Sequence, residues 1–122
     1  MAELEIRSLM VGGVPMVQLE GELDSYSAPR VRQVLDSAID PKRPVVMIGL
    51  AGLEYIDSSG LGAFTGALKQ VQASGGMILL VSPSGVVARV LQVTGLDKVF
   101  PVCVDEAQAL AQLPPEWRTK AA

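Results

Sequence analysis

At 122 residues the chain is long enough to bury one hydrophobic core, so it needs neither disulfide staples nor a structural metal to fold. Its 49% hydrophobic and 19% charged residues exclude a disordered chain, and a net charge of -3 with Lys and Arg scattered from Arg7 to Lys120 argues against direct nucleic-acid binding. With no histidine, a Ser-His-Asp triad, a histidine general base and the usual zinc sites all lack their central ligand or base. The lone Cys103 has no partner for an internal disulfide and reads as a small buried hydrophobe in an apolar stretch. Met1 to Glu5 is acidic and no secretory signal follows, and no apolar run reaches the roughly 20 residues that cross a bilayer. The expected compartment is the cytoplasm, and no cofactor is expected.

From Glu3 to Arg7 apolar and polar residues alternate, with Leu4 and Ile6 on one face, which predicts a half-buried strand. Gly12-Gly13 turns the chain into Val14 to Leu19, a hairpin partner whose Pro15 marks an edge or a strand start. Apolar residues at Val31, Val34, Leu35, Ala38 and Ile39 then follow the spacing of an amphipathic helix, with Ser25 or Ser27 able to cap it and Pro41 and Pro44 ending it. Val45 to Leu50 has no polar face, as in a central strand covered on both sides. Leu61, Phe64, Leu68 and Val71 predict a second helix, closed by Gly75-Gly76, and Met77 to Val81 another buried strand.

A short helix from Ser84 to Gln92 is expected to bury Val86, Val87, Val90 and Leu91, with Gly95 as its stop. Val99 to Val104 reads as the last strand. Asp105 starts a final helix with Gln108 as its reciprocal capping partner, and Pro114-Pro115 halts it. The fold class is therefore α/β: a sandwich with a mixed sheet of about four to five strands, opening with an antiparallel hairpin, and about four helices. Residues 1–113 are expected to form a single domain and 114–122 a tail, in which the packing of Trp117 is left open.

The residues that carry chemistry lie at the join between the central apolar run and the second helix, Ile56-Asp57-Ser58-Ser59-Gly60-Leu61-Gly62. A helix start leaves backbone N-H groups without partners at the positive end of the dipole and so tolerates an anion, phosphate included. Helix capping is the plainer explanation of the pattern, since Asp57, Ser58 and Ser59 are all good caps. Gly60 and Gly62 exceed what a cap needs, because glycine inside a helix costs about 0.5 to 1 kcal/mol relative to alanine. Their expected return is close approach: with no side chain there, another backbone or a protein surface can come near the hydroxyls. A nucleophile elbow fails because Ile56 stands where its first glycine belongs. Gly60 to Gly66 has no Gly-Lys-Ser/Thr, and Lys69 falls inside the helix, so the phosphate-cradling loop of nucleotide-binding proteins is missing as well.

Leu53-Glu54-Tyr55-Ile56-Asp57-Ser58-Ser59-Gly60-Leu61-Gly62 resembles the signature of STAS domains, and specifically of the bacterial anti-sigma factor antagonists. Supporting matches are Leu19-Glu20-Gly21-Glu22-Leu23-Asp24, Ser82-Pro83 and Thr94-Gly95-Leu96, and the likeness spans Glu3 to Leu113. The resemblance implies a STAS-type sandwich and a non-enzymatic phosphoprotein that regulates transcription through protein contacts. It implies that an anti-sigma factor with serine kinase activity phosphorylates Ser58, the serine directly after the aspartate, in preference to Ser59, although spacing alone does not separate the two. It also implies that Asp24, Ile56, Asp57, Ser58, Ser59, Gly60, Leu61 and Gly62 contribute to the partner-binding surface, and that a metal-dependent, PP2C-like serine phosphatase resets the switch. For Asp24 a role as turn or cap residue is equally compatible with the sequence. Two other functions compete: an accessory subunit on the cytoplasmic side of a membrane transporter, and a small nucleotide-binding enzyme, which the missing phosphate loop and histidine disfavour. Oligomeric state is not legible.

Overall fold

The computed structural model describes residues 3–117. Two glycines with positive φ, Gly12 at 58° and Gly13 at 79°, form the tight turn that joins β1 (Glu5–Val11) to β2 (Val14–Leu23). Positive φ at both turn positions matches the twist of paired strands. The ladder is antiparallel and runs from Val11 opposite Val14 to Glu5 opposite Glu20. The strand expected at Glu3 to Arg7 thus starts later and runs further, because the hairpin register carries it to the turn. Pro15 lies at the start of β2, before Met16 opens the second ladder to β3, so its missing N-H costs no bond on that side.

Three helical crossovers then lay down parallel strands in chain order. The α1 helix (Ala28–Ala38) leads to β3 (Val45–Ile56), α2 (Ser58–Ala73) to β4 (Met77–Val81), and α3 (Gly85–Thr94) with a 3-10 turn at Leu96–Lys98 to β5 (Val102–Cys103). The sheet order is β1-β2-β3-β4-β5, antiparallel only in its first pair. A short α4 (Glu106–Ala111) and a 3-10 turn at Pro115–Trp117 follow.

The strands feed a core on each face. Val17, Leu19 and Leu23 of β2 and Val46, Ile48, Leu50, Leu53 and Ile56 of β3 meet α1, α2 and α3 through Val31, Leu35, Phe64, Leu68, Val87 and Leu91. On the opposite face Val14, Met16, Val45, Met47, Leu79, Val81 and Cys103 pack with Ala109 and Leu113, and Trp117 rests against this second cluster. Cover on both faces is why Val45 to Leu50 reads without a polar side. Residues 118–122 of the expected tail lie outside the described residues.

Several expectations need correction. The central strand does not stop at Leu50: it continues to Ile56, since pairing with β2 extends to Leu23 opposite Ile56. Register shifts between Gln18 and Glu20 and between Gly21 and Glu22 accompany that extension, and Gly21 adopts a φ of 106°. A side chain on Gly21 would overlap the backbone carbonyl of Glu3. The last strand is only Val102–Cys103, because Val99 and Phe100 both donate their N-H groups to the Leu96 carbonyl and so belong to the preceding turn. Val86 is 59% exposed, the helix burying Val87 and Leu91 instead. Ser27 stands at the N-cap of α1 but makes no side-chain cap bond, and Ser25 lies in the turn before it. Ile39 falls one residue past α1, where its N-H still bonds the Leu35 carbonyl.

Other readings agree closely. Gly95 ends α3 in the left-handed conformation, with a φ of 75°. Asp105 caps α4 by accepting from Gln108 N at 2.8 Å, while Gln108 Oε1 reaches back to Val104 N at 2.7 Å, one residue before the usual capping-box donor.

Cys103 is buried, and burial, aided by the charge of Asp105, pushes its thiol above the ordinary value. Folding therefore favours the protonated thiol. Its contribution to stability is complete below the unfolded thiol's pKa and lost as pH rises through the folded one. Iodoacetamide at mildly alkaline pH is expected to leave Cys103 largely unmodified in the native protein and to alkylate it fully in urea, read by mass spectrometry.

Candidate functional site

The site forms where two neighbouring parallel strands, β2 and β3, end side by side. Asp57 separates β3 from α2, with extended dihedrals of -109° and -174°, and its Oδ1 accepts a hydrogen bond from Gly60 N at 3.1 Å. The Asp57 N-H donates to the Leu23 carbonyl at 3.2 Å, and its carbonyl accepts the first helical bond from Leu61 N at 3.0 Å. Asp57 is thus the cap of α2. That leaves the two serines that follow it free of the capping task.

Ser58 is the first residue of the helix and is exposed, while Ser59 is half-buried. The amides of both belong to the first turn, where the helix supplies no acceptor, and the positive end of the dipole is directed at them. The exposed Ser58 thus stands on a terminus whose dipole favours an added anion. Asp57→Ala is expected to cost about 1 kcal/mol of stability by removing the cap, read as a lower urea midpoint, whereas Ser58→Ala should leave that midpoint nearly unchanged.

The two glycines part company. Gly60 is buried, and a Cβ there would sit 2.7 Å from Leu23 Cγ and 2.8 Å from Ile56 Cγ1. It lets α2 press onto the strand ends, so of the two kinds of close approach expected at the glycines, by another backbone or by a protein surface, Gly60 serves packing within the chain. Gly62 is exposed, with nothing within 4 Å of its Cβ position, so its bare backbone faces outward. Ile56 is buried and supports the site from below; Leu61 is half-buried against the core. Of the residues assigned to the surface, Ser58 and Gly62 are exposed, Asp57, Ser59, Leu61 and Asp24 are intermediate, and Ile56 and Gly60 face inward.

Asp24 follows the end of β2 at Leu23, whose carbonyl holds Asp57, so the fold brings it to the same rim. Its Oδ1 accepts from Tyr26 N at 3.0 Å, Ser27 N at 3.1 Å and Ser27 Oγ at 3.2 Å, and its own N-H donates to Ser27 Oγ at 3.1 Å. Asp24 is therefore an Asx-turn residue that launches α1, and its position at the rim follows from that role.

The pattern did not single out two aromatic side chains, Tyr26 at 94% and Tyr55 at 45% exposure. An aromatic residue inside a polar turn, Asp24-Ser25-Tyr26-Ser27, is the signal that could have found the first. The remaining matched segments serve the scaffold. Ser84 Oγ caps α3 and also donates to the Leu53 carbonyl at 2.8 Å, and Ser82, at a φ of 54°, donates its hydroxyl to the Val104 carbonyl at 2.8 Å. Among the described residues no group of three His, Cys, Asp or Glu side chains is placed to hold a metal ion, and no helix is long and apolar enough to cross a membrane.

The STAS domain family matches residues 6–109, which take in all of the sheet but its first residue, and the serine site. An anti-sigma F factor antagonist of Paenibacillus polymyxa is 35% identical over 102 residues, 83% of this chain and 87% of that relative. The chain belongs to the STAS family, among the anti-sigma factor antagonists. A crystal structure from Thermotoga maritima superposes on this STAS domain with a TM-score of 0.79 at 28% identity, covering 88% of this chain and 92% of the other. The crystal structure of an anti-sigma factor antagonist from Mycobacterium paratuberculosis gives a TM-score of 0.78 at 25% identity, over 89% and 92% of the two chains.

Proposed function

We propose that this STAS protein antagonises a kinase-type anti-sigma factor and that phosphorylation of Ser58 switches it off. Unmodified, the rim formed by the Asp24 turn and the start of α2 docks on the anti-sigma factor, which then releases its sigma factor. The anti-sigma factor transfers the γ-phosphoryl group of ATP to Ser58 Oγ, the hydroxyl proton leaves, and ADP departs. A PP2C-like serine phosphatase hydrolyses the phosphoester and restores the docking form. The chain itself turns over no substrate, and the cycle runs in the cytoplasm. Residues 1–113 act as one domain, with 114–122 as a tail whose turn at Pro115–Trp117 folds back on the second core cluster.

The observation that carries this reading is the division of labour at the join: Asp57 caps the helix with its own side chain, and the hydroxyl of Ser58, unneeded for that, stands exposed beside it. Phosphate adds about -1.5 to -2 charges there. The isolated domain keeps its fold because a helix start accommodates an anion. The complex suffers, since a surface shaped for a hydroxyl must exclude or bury the new charge.

Incubation of the purified protein with the kinase-type anti-sigma factors of the same genome and ATP, followed by phosphosite mass spectrometry, tests this. An increment of about 80 Da on Ser58, lost in Ser58→Ala, is the expected result. Modification of Ser59 alone, or none with any of these kinases, overturns the assignment.

A further inference from the structure

We propose that Tyr26 is the aromatic anchor of this docking surface and that its ring enters an apolar pocket on the anti-sigma factor, an inference that rests on the function proposed above. Tyr26 is the most exposed of the large hydrophobic side chains among the described residues, at 94%, so nearly its whole ring is open to a partner. Its backbone, by contrast, is held. The Asp24 carboxylate binds the N-H groups of both Tyr26 and Ser27, and Ala28 N donates to the Asp24 carbonyl at 2.8 Å. A ring with two side-chain torsions on a pinned turn loses little freedom when it is captured, which is the property of side chains that dominate binding energy.

The turn is also tied to the switch. Leu23, just before Asp24, holds Asp57 N through its carbonyl, and its side chain fills the space that Gly60 leaves free. Tyr26 is three positions on from Leu23, at most about 11 Å of chain. A partner that covers Ser58 with a standard footprint of about 800 Å² spans about 32 Å. Such a footprint is wide enough to take in Ser58 and Tyr26 together. Tyr26 shares the lining of one cleft with Glu22, Asp24 and Arg30, so charged side chains border the ring as a polar rim borders the apolar centre of an interface.

Calorimetric titration of the purified kinase-type anti-sigma factors of the same genome with wild-type protein, Tyr26→Ala and Tyr26→Phe tests the assignment, with Ser58 phosphorylation rates and melting temperatures measured alongside. Tyr26→Ala is expected to bind about 30-fold or more weakly at an unchanged melting temperature, and to regain its phosphorylation rate at saturating kinase. Tyr26→Phe, which keeps the ring, should stay within about threefold of wild type. If a factor binds and phosphorylates wild type but binds Tyr26→Ala equally well, the anchor is wrong and the switch stands. A Phe variant as weak as the Ala variant rules out an apolar pocket in favour of a hydroxyl contact. Should no factor bind wild type, both the anchor and the function fall.

Discussion

Ser58→Ala is expected to leave a permanently active antagonist: it binds the anti-sigma factor within about twofold of the unmodified protein, since an exposed substitution changes energies by about 0.5 kcal/mol or less. It takes up no phosphate at position 58. Ser58→Asp is expected to lose affinity. An unmatched charge buried at an interface costs on the order of 2 to 5 kcal/mol, which at about 1.4 kcal/mol per tenfold means a loss of about 30-fold to several thousand-fold. Folding responds in the opposite sense. An acidic side chain in the first turn of α2 interacts favourably with the helix dipole, by about 0.3 to 1 kcal/mol, so Ser58→Asp should melt no lower than wild type. Titration calorimetry together with thermal unfolding separates the two effects. A Ser58→Asp protein that binds poorly because it is unfolded would melt lower, and one that binds normally would remove charge as the basis of the switch.

Gly60→Val is expected to destabilise the protein by about 3 kcal/mol, measured as a drop in urea midpoint at constant slope. The new Cβ alone would lie 2.7 Å from Leu23 Cγ, 2.8 Å from Ile56 Cγ1 and 3.0 Å from Leu23 Cδ2. The better helix propensity of valine recovers only about 0.5 kcal/mol. Neither neighbour has room to move, because Leu23 and Ile56 are both buried in the first core cluster. Gly62→Val forms the control. Its Cβ meets nothing within 4 Å, so its fold should be as stable as wild type or slightly more so, while a side chain there would project into the proposed docking surface. The two variants thus divide the glycines between folding and binding. Equal stability of both would mean that α2 does not press on the strand ends as described.

Residues with a strong apolar period were legible. Met77 to Val81 is a strand with the bounds read from its apolar run, and Phe64, Leu68 and Val71 define the buried face of α2. The strand end at Ile56 was not legible, because Ala51, Gly52, Glu54 and Tyr55 interrupt the apolar run and the pairing that extends β3 comes from β2, through shifted register. Val99 and Phe100 look like strand residues, yet their hydrogen bonds close a local turn on Leu96. Val86 has the hydropathy of a core residue but lies off the face that buries Val87 and Leu91.

At the site, the join between strand and helix was visible in Asp57-Ser58-Ser59-Gly60-Leu61. The inward direction of Gly60 was not, since glycine leaves no hydropathic mark and only the backbone path brings Leu23 and Ile56 beneath it. Nor did the sequence separate a docking role for Asp24 from a turn role, because both use the same carboxylate, whose Oδ1 the structure shows occupied by the turn at Tyr26 and Ser27.

The most direct measurement compares one preparation in two states: protein phosphorylated on Ser58 by its anti-sigma factor, and the same sample after a serine phosphatase has removed the group. Each is titrated into fresh anti-sigma factor with ADP present. Tight binding by the dephosphorylated sample and binding at least about 30-fold weaker by the phosphorylated one is the predicted result. Equal affinity of the two states would contradict the account.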